Sequence, residues 1–362
     1  MKLSDREWKP CRLSKLGNVE SGRDIYAMER VEGDIPYITS GSQNNGIGYF
    51  VSNKNDTLDK GYIALNRNGA VGLAFYHPYW SVMGNDCRKI HISKADENLY
   101  VGLFISTAIS MQSKSFSYSR KLGTARANKL QVILPVDDND EPDYQFMEDY
   151  MKELMLAKRK QYQEYVEQRL AELGIDDVKN TKVEGYNFDL ESREWCSFKI
   201  IDIFKLIRGS EGNMASLNEG NVPLISARNI GNGLKGFVDN PKKIIKGKCI
   251  TLNNDGDGGA GLAYYQPCDM ALDTHVTALT PISKMSPDSM LMISECLSKL
   301  HGFFGHGHSI SNKRATNLKT MLPVNDNGEP DYEFMEECGR KIMAKKYKQY
   351  LAFLEKMMVA KT

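Results

Sequence analysis

One stretch of this chain occurs twice. Leu134-Pro135-Val136-Asp137-Asp138-Asn139-Asp140-Glu141-Pro142-Asp143-Tyr144-Gln145-Phe146-Met147-Glu148 returns as Leu322-Pro323-Val324-Asn325-Asp326-Asn327-Gly328-Glu329-Pro330-Asp331-Tyr332-Glu333-Phe334-Met335-Glu336. The offset from Leu134 to Leu322 is 188 residues. Long internal self-similarity fixes architecture before any other feature is weighed. Each copy closes a mixed, Gly-rich segment and opens a long polar one. The chain therefore reads as one unit written twice: domain, helix, domain, helix.

The repeated motif is itself a helix start. Leu-Pro-Val ends an apolar run. Asp, Asn and Gly then turn the chain, because they tolerate left-handed backbone or bond their own amides. Glu-Pro-Asp follows, and acidic groups suit the positive end of a helix. Asp143 and Asp331 are the candidate N-caps. A Pro-Asp nuclease site would need a second acid and a nearby lysine. The only downstream match near copy one is Asp177-Val178-Lys179, and copy two has no counterpart.

The repeat extends upstream. Arg6-Glu7-Trp8 matches Arg193-Glu194-Trp195 at an offset of 187 residues. Asn45-Gly46 and Asn232-Gly233, each flanked by strand-formers, signal hairpins. Tyr62-Ile63-Ala64-Leu65-Asn66 matches Cys249-Ile250-Thr251-Leu252-Asn253, and each run leads to a turn and a return strand. Between Arg67 and Gly72 in copy one, and between Asn254 and Gly261 in copy two, the offset grows from 187 to 189 residues. A buried hairpin whose tip varies in charge and length suggests a scaffold with an adapted recognition tip. Residues 98–112 and 287–300 have helical spacing. Each unit is thus expected to be α+β, with many short strands.

Two long helices are expected, from about Asp143 to Leu173 and from about Asp331 to Met358. Phe146, Tyr150, Leu154, Ala157, Gln161 and Tyr165 form a stripe on the first. Phe334, Cys338, Ile342, Lys345, Gln349 and Phe353 form one on the second. Such amphipathic helices seek partners, and Leu154 and Ile342 are the candidate partner-binding residues. The expected divisions are a first recognition domain at 1–142, a helix at 143–174, a linker and second domain at 175–330, and a helix at 331–360.

Charge and cysteine content bound the chemistry. The chain has 362 residues and a net charge of only +1. Any polyanion contact must come from local basic patches. The seven cysteines are scattered, without a C-x-x-C pair, which fits a reduced cytoplasmic protein. No signal peptide or membrane span is legible.

Enzyme motifs are missing. No Gly-rich loop ends in Gly-Lys-Ser/Thr. Asn240-Pro241-Lys242 falls short of an adenine-methylation motif. His301, His306 and His308 invite a metal reading, but their copy-one equivalents are Ser113, Tyr118 and Arg120, which form no ligand set; no metal or catalytic residue is assigned. Arg, Lys, Asn and Gln residues in the loops are more informative. They are Gln43, Asn44, Arg67, Asn68, Arg120, Lys121 and Arg126 in copy one. In copy two they are Arg228, Asn229, Asn254, Lys313 and Arg314. Arg pairs bidentately with guanine, Asn and Gln with adenine, and Lys or Arg with phosphate. These are the candidate DNA-binding residues.

The paired Glu-Trp starts, the hairpins around Asn66 and Asn253, and the Leu-Pro segments leading to long helices resemble the specificity subunits of type I restriction–modification systems. The chain is similar, too, to the separate specificity subunits of type IIB systems. The resemblance implies two target recognition domains, each reading half of a split double-stranded DNA target, with the helices packed as an antiparallel coiled-coil spacer. It implies methyltransferase subunits as partners, with either a fused nuclease–methyltransferase or a separate restriction subunit. The subunit itself would be noncatalytic within an adenine methyltransferase and endonuclease complex. S-adenosylmethionine and Mg would sit on the partners. Two rival readings are a stand-alone DNA methyltransferase or nuclease, and an adaptor that only assembles proteins.

Overall fold

The computed structural model describes residues 1–93, 98–116, 121–172, 190–213, 216–256, 259–305 and 307–359. The expected linker and the Asp177-Val178-Lys179 triplet lie mostly or wholly outside them. Contacts divide the chain into two compact units, Met1–Glu164 and Tyr165–Thr362. The division falls inside the first long helix rather than at either of its ends.

The first unit runs β1 (Glu7–Arg12), α1 (Leu13–Leu16), β2 (Gly17–Ser21), β3 (Glu32–Ile38), β4 (Ile47–Val51), β5 (Tyr62–Asn66) and β6 (Ala74–His77). It continues through β7 (Val82–Met83), β8 (Cys87–Ile92), α2 (Leu99–Ser110), α3 (Thr124–Asn128), β9 (Gln131–Val136) and α4 (Tyr144–Glu172). Three sheets result: β2-β8-β5-β6, β4-β3-β7 and the ribbon β1-β9. All five residues of β5 are buried, as expected for an inner strand covered on both faces. Helix α2 covers one face with Val101, Phe104, Ile105 and Ile109. Its N-cap is Asn98, whose Oδ1 accepts from the Tyr100 and Val101 amides. Edge strand β6 is closed by a side chain: Ser110 Oγ accepts from Ala74 N at 2.8 Å and donates to Ala74 O at 3.1 Å.

The second unit repeats this order as β10 (Trp195–Lys199), α5 (Ile200–Ile203), β11 (Phe204–Arg208), β12 (Glu219–Ile225), β13 (Leu234–Val238), β14 (Cys249–Asn253) and β15 (Ala263–Gln266). Then come β16 (Ala271–Leu272), β17 (Val276–Pro281), α6 (Pro287–Ser298), α7 (Asn312–Asn317), β18 (Lys319–Pro323) and α8 (Tyr332–Val359). The sheets are β11-β17-β14-β15, β13-β12-β16 and β10-β18. Ser298 closes β15 as Ser110 closes β6. The mixed α+β expectation holds in both units.

The helix starts are made as the motif predicts. Asp143 Oδ1 accepts from Phe146 N at 2.8 Å, and Asp331 Oδ1 accepts from Phe334 N at 2.9 Å. The other carboxylate oxygen receives Arg6 Nε at 2.8 Å or Arg193 Nε at 3.1 Å. Each guanidinium also lies over the Phe ring of its helix, at 5.2 Å and 5.1 Å. The ribbon brings these partners together, because β1 pairs with β9 and β10 with β18 in antiparallel register.

One expectation is refined and another corrected. The Asn-Gly hairpins form, but with loops longer than the tight turn such pairs usually make. Ile38 pairs with Ile47, so eight residues separate β3 from β4, and Asn45-Gly46 ends that loop in left-handed backbone. The helix stripes are also displaced. In the last turns of α4 the fully buried residues are Val166 and Leu170, while Tyr165 is exposed. In α8 they are Met335, Cys338 and Ala344, with Tyr347 nearly so, while Ile342 and Phe353 are exposed.

Candidate nucleic-acid interface

The hairpin β5–β6 carries its tip to one end of the main sheet, where three other loops meet it. Asn66 Nδ2 reaches Gly41 O at 2.9 Å, and Ala70 N reaches Ser40 O at 3.1 Å, tying the tip to the 39–46 loop. Arg67 N donates to Asp86 O at 2.8 Å, and Leu122 N donates to Arg67 O at 3.1 Å. The second unit repeats the junction. Asn253 Nδ2 reaches Arg228 O at 3.0 Å. Asn254 N donates to His275 O at 2.8 Å, and Ile310 N donates to Asn254 O at 2.7 Å. Arg67 and Asn254, Asn68 and Asp255, and Asp86 and His275 are therefore equivalent positions.

The tips pack closely on the first loop. At Gly69, with φ +57°, an added Cβ would stand 2.7 Å from Ser40 O; at Gly256, with φ +107°, it would stand 2.9 Å from Ala227 O. Both conditions exclude a side chain at these tip positions.

The candidate residues differ in their surroundings, and Lys121 is half-buried. Gln43, Asn44 and Asn229 are exposed on the converging loops, and Lys313 and Arg314 are exposed on α7. Several others are held by the protein itself. Arg126 Nη1 donates to Lys121 O at 2.6 Å, and its equivalent Arg314 Nη1 donates to Ser309 O at 2.5 Å. Arg228 Nη1 donates to Leu234 O at 2.9 Å. Arg67 Nη2 lies 3.5 Å from Asp86 Oδ1, which also accepts from Asn68 Nδ2 at 3.3 Å. Asn254 corrects the sequence reading: it is fully buried, and its Oδ1 accepts from Thr277 Oγ1 at 3.0 Å. It supports the second tip from beneath. Arg120 lies outside the described residues.

Three residues at these junctions escaped the sequence reading. Arg88 is buried beneath the first tip and donates to Asn85 O and Cys87 O. Burial first, and then the charge of Arg67, hold its pKa below the usual arginine value. Asp86 and His275 stand in the turns before β8 and β17. In the second unit His275 Nδ1 lies 2.7 Å from Asp255 Oδ1. The signal that could have found them was the 189-residue offset, which pairs the two turns once the tip insertion is counted.

Among the described residues, no group of three or more His, Cys, Asp or Glu is placed to hold a metal. His301 Nδ1 lies 2.8 Å from Ala260 O, His308 stacks on Phe304, and His306 is outside the described residues. No helix among them is long and apolar enough to cross a membrane.

The helices present a second kind of surface. Leu154 and Ile342 are 39% and 38% exposed. Ile342 also borders an apolar groove of about 1140 Å³ in the second unit, with Trp195, Tyr264, Met292, Met321 and Met343.

The chain is similar to known proteins over both units. It is 32% identical over 149 residues to the specificity subunit S.BcgI of a type II restriction enzyme from Heyndrickxia coagulans. That match covers 41% of this chain and 44% of the relative. A type I restriction–modification S subunit from M. genitalium aligns over 99% of this chain and 96% of its own, at 15% identity and a TM-score of 0.47. The HsdS subunit from Thermoanaerobacter tengcongensis aligns over 97% and 91%, at 14% identity and a TM-score of 0.32. The family model for the type I restriction modification DNA specificity domain matches residues 5–164 and again 192–350. Those two matches take in most of the chain and one copy each of the repeated fold, and the chain belongs to that DNA specificity domain family.

Proposed function

We propose that this chain is the noncatalytic DNA-specificity subunit of a restriction–modification complex. The observation that carries the reading is the duplication of one specificity-domain fold, each copy gathering the same four loops at one end of its sheet. Gln43, Asn44, Asn68, Arg67, Arg120, Lys121 and Arg126 would meet one half of a bipartite DNA target. Arg228, Asn229, Lys313 and Arg314 would meet the other, with Asn254 shaping the second tip. With a net charge of only +1, local loop contacts rather than global attraction would set affinity.

Residues 1–142 and 175–330 would act as readers, and 143–174 and 331–360 as an antiparallel spacer. Support for the antiparallel sense comes from the second unit. Tyr165 packs on Tyr347 with ring centroids 6.2 Å apart. Four residues further along α4, Arg169 lies near Tyr347 and acts on Asp288, which Arg340 and Glu336 also influence. These neighbours support an antiparallel sense for α4 and α8. Leu154 and Ile342, exposed on the two helices, would dock methyltransferase subunits carrying S-adenosylmethionine and Mg. Adenine would be the modified base, and the assembly would be cytoplasmic.

The test is selection from a randomised duplex pool. The tagged chain is purified from its own host with the subunits that accompany it. Two short conserved blocks separated by a fixed unspecified gap are expected. A pool that stays random would overturn the reading.

A further inference from the structure

The two tips carry the same device with its chemistry exchanged. In the first unit the tip residues Arg67 and Asn68 hold the turn residue Asp86. In the second unit the tip residue Asp255 holds the turn residue His275 at 2.7 Å. Matching backbone bonds, Arg67 N to Asp86 O and Asn254 N to His275 O, place both turns at the same point of the fold. In each pair the tip side chain is the more buried one, at 28%, and the turn side chain the more exposed, at 49% for Asp86 and 57% for His275.

The outward groups share one property. A carboxylate only accepts hydrogen bonds. A neutral imidazole that gives its Nδ1 hydrogen to a carboxylate is left with Nε2 as an acceptor. An exposed carboxylate would be repelled by phosphate, so Asp86, held by Arg67 and Asn68, has no use as a backbone contact. In the major groove, a side-chain acceptor pairs with the exocyclic amino group of adenine or cytosine. His275 also borders a hollow of about 550 Å³ with Lys235, Asp273 and Ser309.

We propose that Asp86 and His275 are the specificity-determining residues at equivalent positions of the two readers, each presenting an acceptor to an amino-bearing base. Arg67 and Asp255 are then positioning residues that aim them. This rests on the DNA-specificity reading above and names the side chains through which it works.

The test compares the wild-type complex with Asp86→Ala, His275→Ala and Asp255→Asn in the randomised-duplex selection. The wild type should show one position in each half-site restricted to adenine or cytosine. Asp86→Ala removes the acceptor, so that position in one block should lose its preference, about tenfold or more. His275→Ala and Asp255→Asn should relax one shared position in the other block and leave the first block intact. Both turn residues are exposed, and near-ultraviolet circular dichroism confirms that each variant is folded. Uniform loss of affinity with both blocks unchanged would overturn the proposal while leaving the specificity reading standing, as would a change confined to the wrong block. A wild-type selection without any enriched motif would overturn the specificity reading itself, and this proposal with it.

Discussion

Asp143 divides its carboxylate between two tasks. One oxygen caps α4, and the other receives Arg6 from the first strand. Removing the cap in Asp143→Ala should cost about 1 kcal/mol in urea unfolding. Asp143→Asn keeps a capping oxygen and should recover most of that loss, and Asp331→Ala should repeat it in the second unit. A second residue makes a prediction about pH. His77 is fully buried against Tyr62, its Nδ1 lies 3.1 Å from Tyr79 OH, and burial pushes its pKa down to about 4. The unfolded chain therefore binds a proton near pH 6.5 that the folded chain refuses. Its contribution is whole above pH 6.5 and is lost as pH falls toward 4, at up to about 1.4 kcal/mol per pH unit. The second unit has Gln266 at this position, buried and bonded to Thr251 Oγ1. His77→Gln should accordingly flatten the pH dependence of the urea midpoint between pH 6.5 and 4.5; an unaltered slope would mean that another group governs it.

Elements were the most legible level, because their signals are local. The capping aspartates, the Asn66 and Asn253 hairpins and both α2-type helices follow from turn chemistry and spacing read over a few residues. Asn254 was misread because its burial depends on Thr277 and Ile310, which no local window contains. A polar residue beside a polar tip looks the same whether it faces outward or inward. The helix stripes slipped for a related reason: spacings of three and four fit Tyr165 and Val166 equally, and only packing chooses between them. The exposure of Leu154 and Ile342 keeps them available for a partner. If the proposed methyltransferase partner docks there, replacing both with Asp should release it while both globular units stay folded, as judged by pull-down and circular dichroism. Unchanged co-purification would remove these two positions from the docking surface.

At the scale of the whole molecule, the proposed spacer role would make helix length a measuring device. Helix α4 has 29 residues and α8 has 28, so each spans roughly 40 Å at about 1.5 Å per residue. That is close to one turn of B-DNA, about 34–36 Å. Inserting four residues beside Lys160 should move one reader by about 6 Å, just under two base pairs, while nearly preserving the packing face. Methylation mapping should then find both blocks intact and the gap between them lengthened. An active variant with the original gap would end the spacer reading. The pairing of each domain's first strand with its last has a different consequence. Because β1 lies along β9, and β10 along β18, the polypeptide enters and leaves each domain at one doorway. A genetic crossover within a helix would therefore hand over a whole reader with its Arg–Asp latch closed. New targets could be acquired by exchanging cassettes, leaving the rest of the machine unaware of the trade.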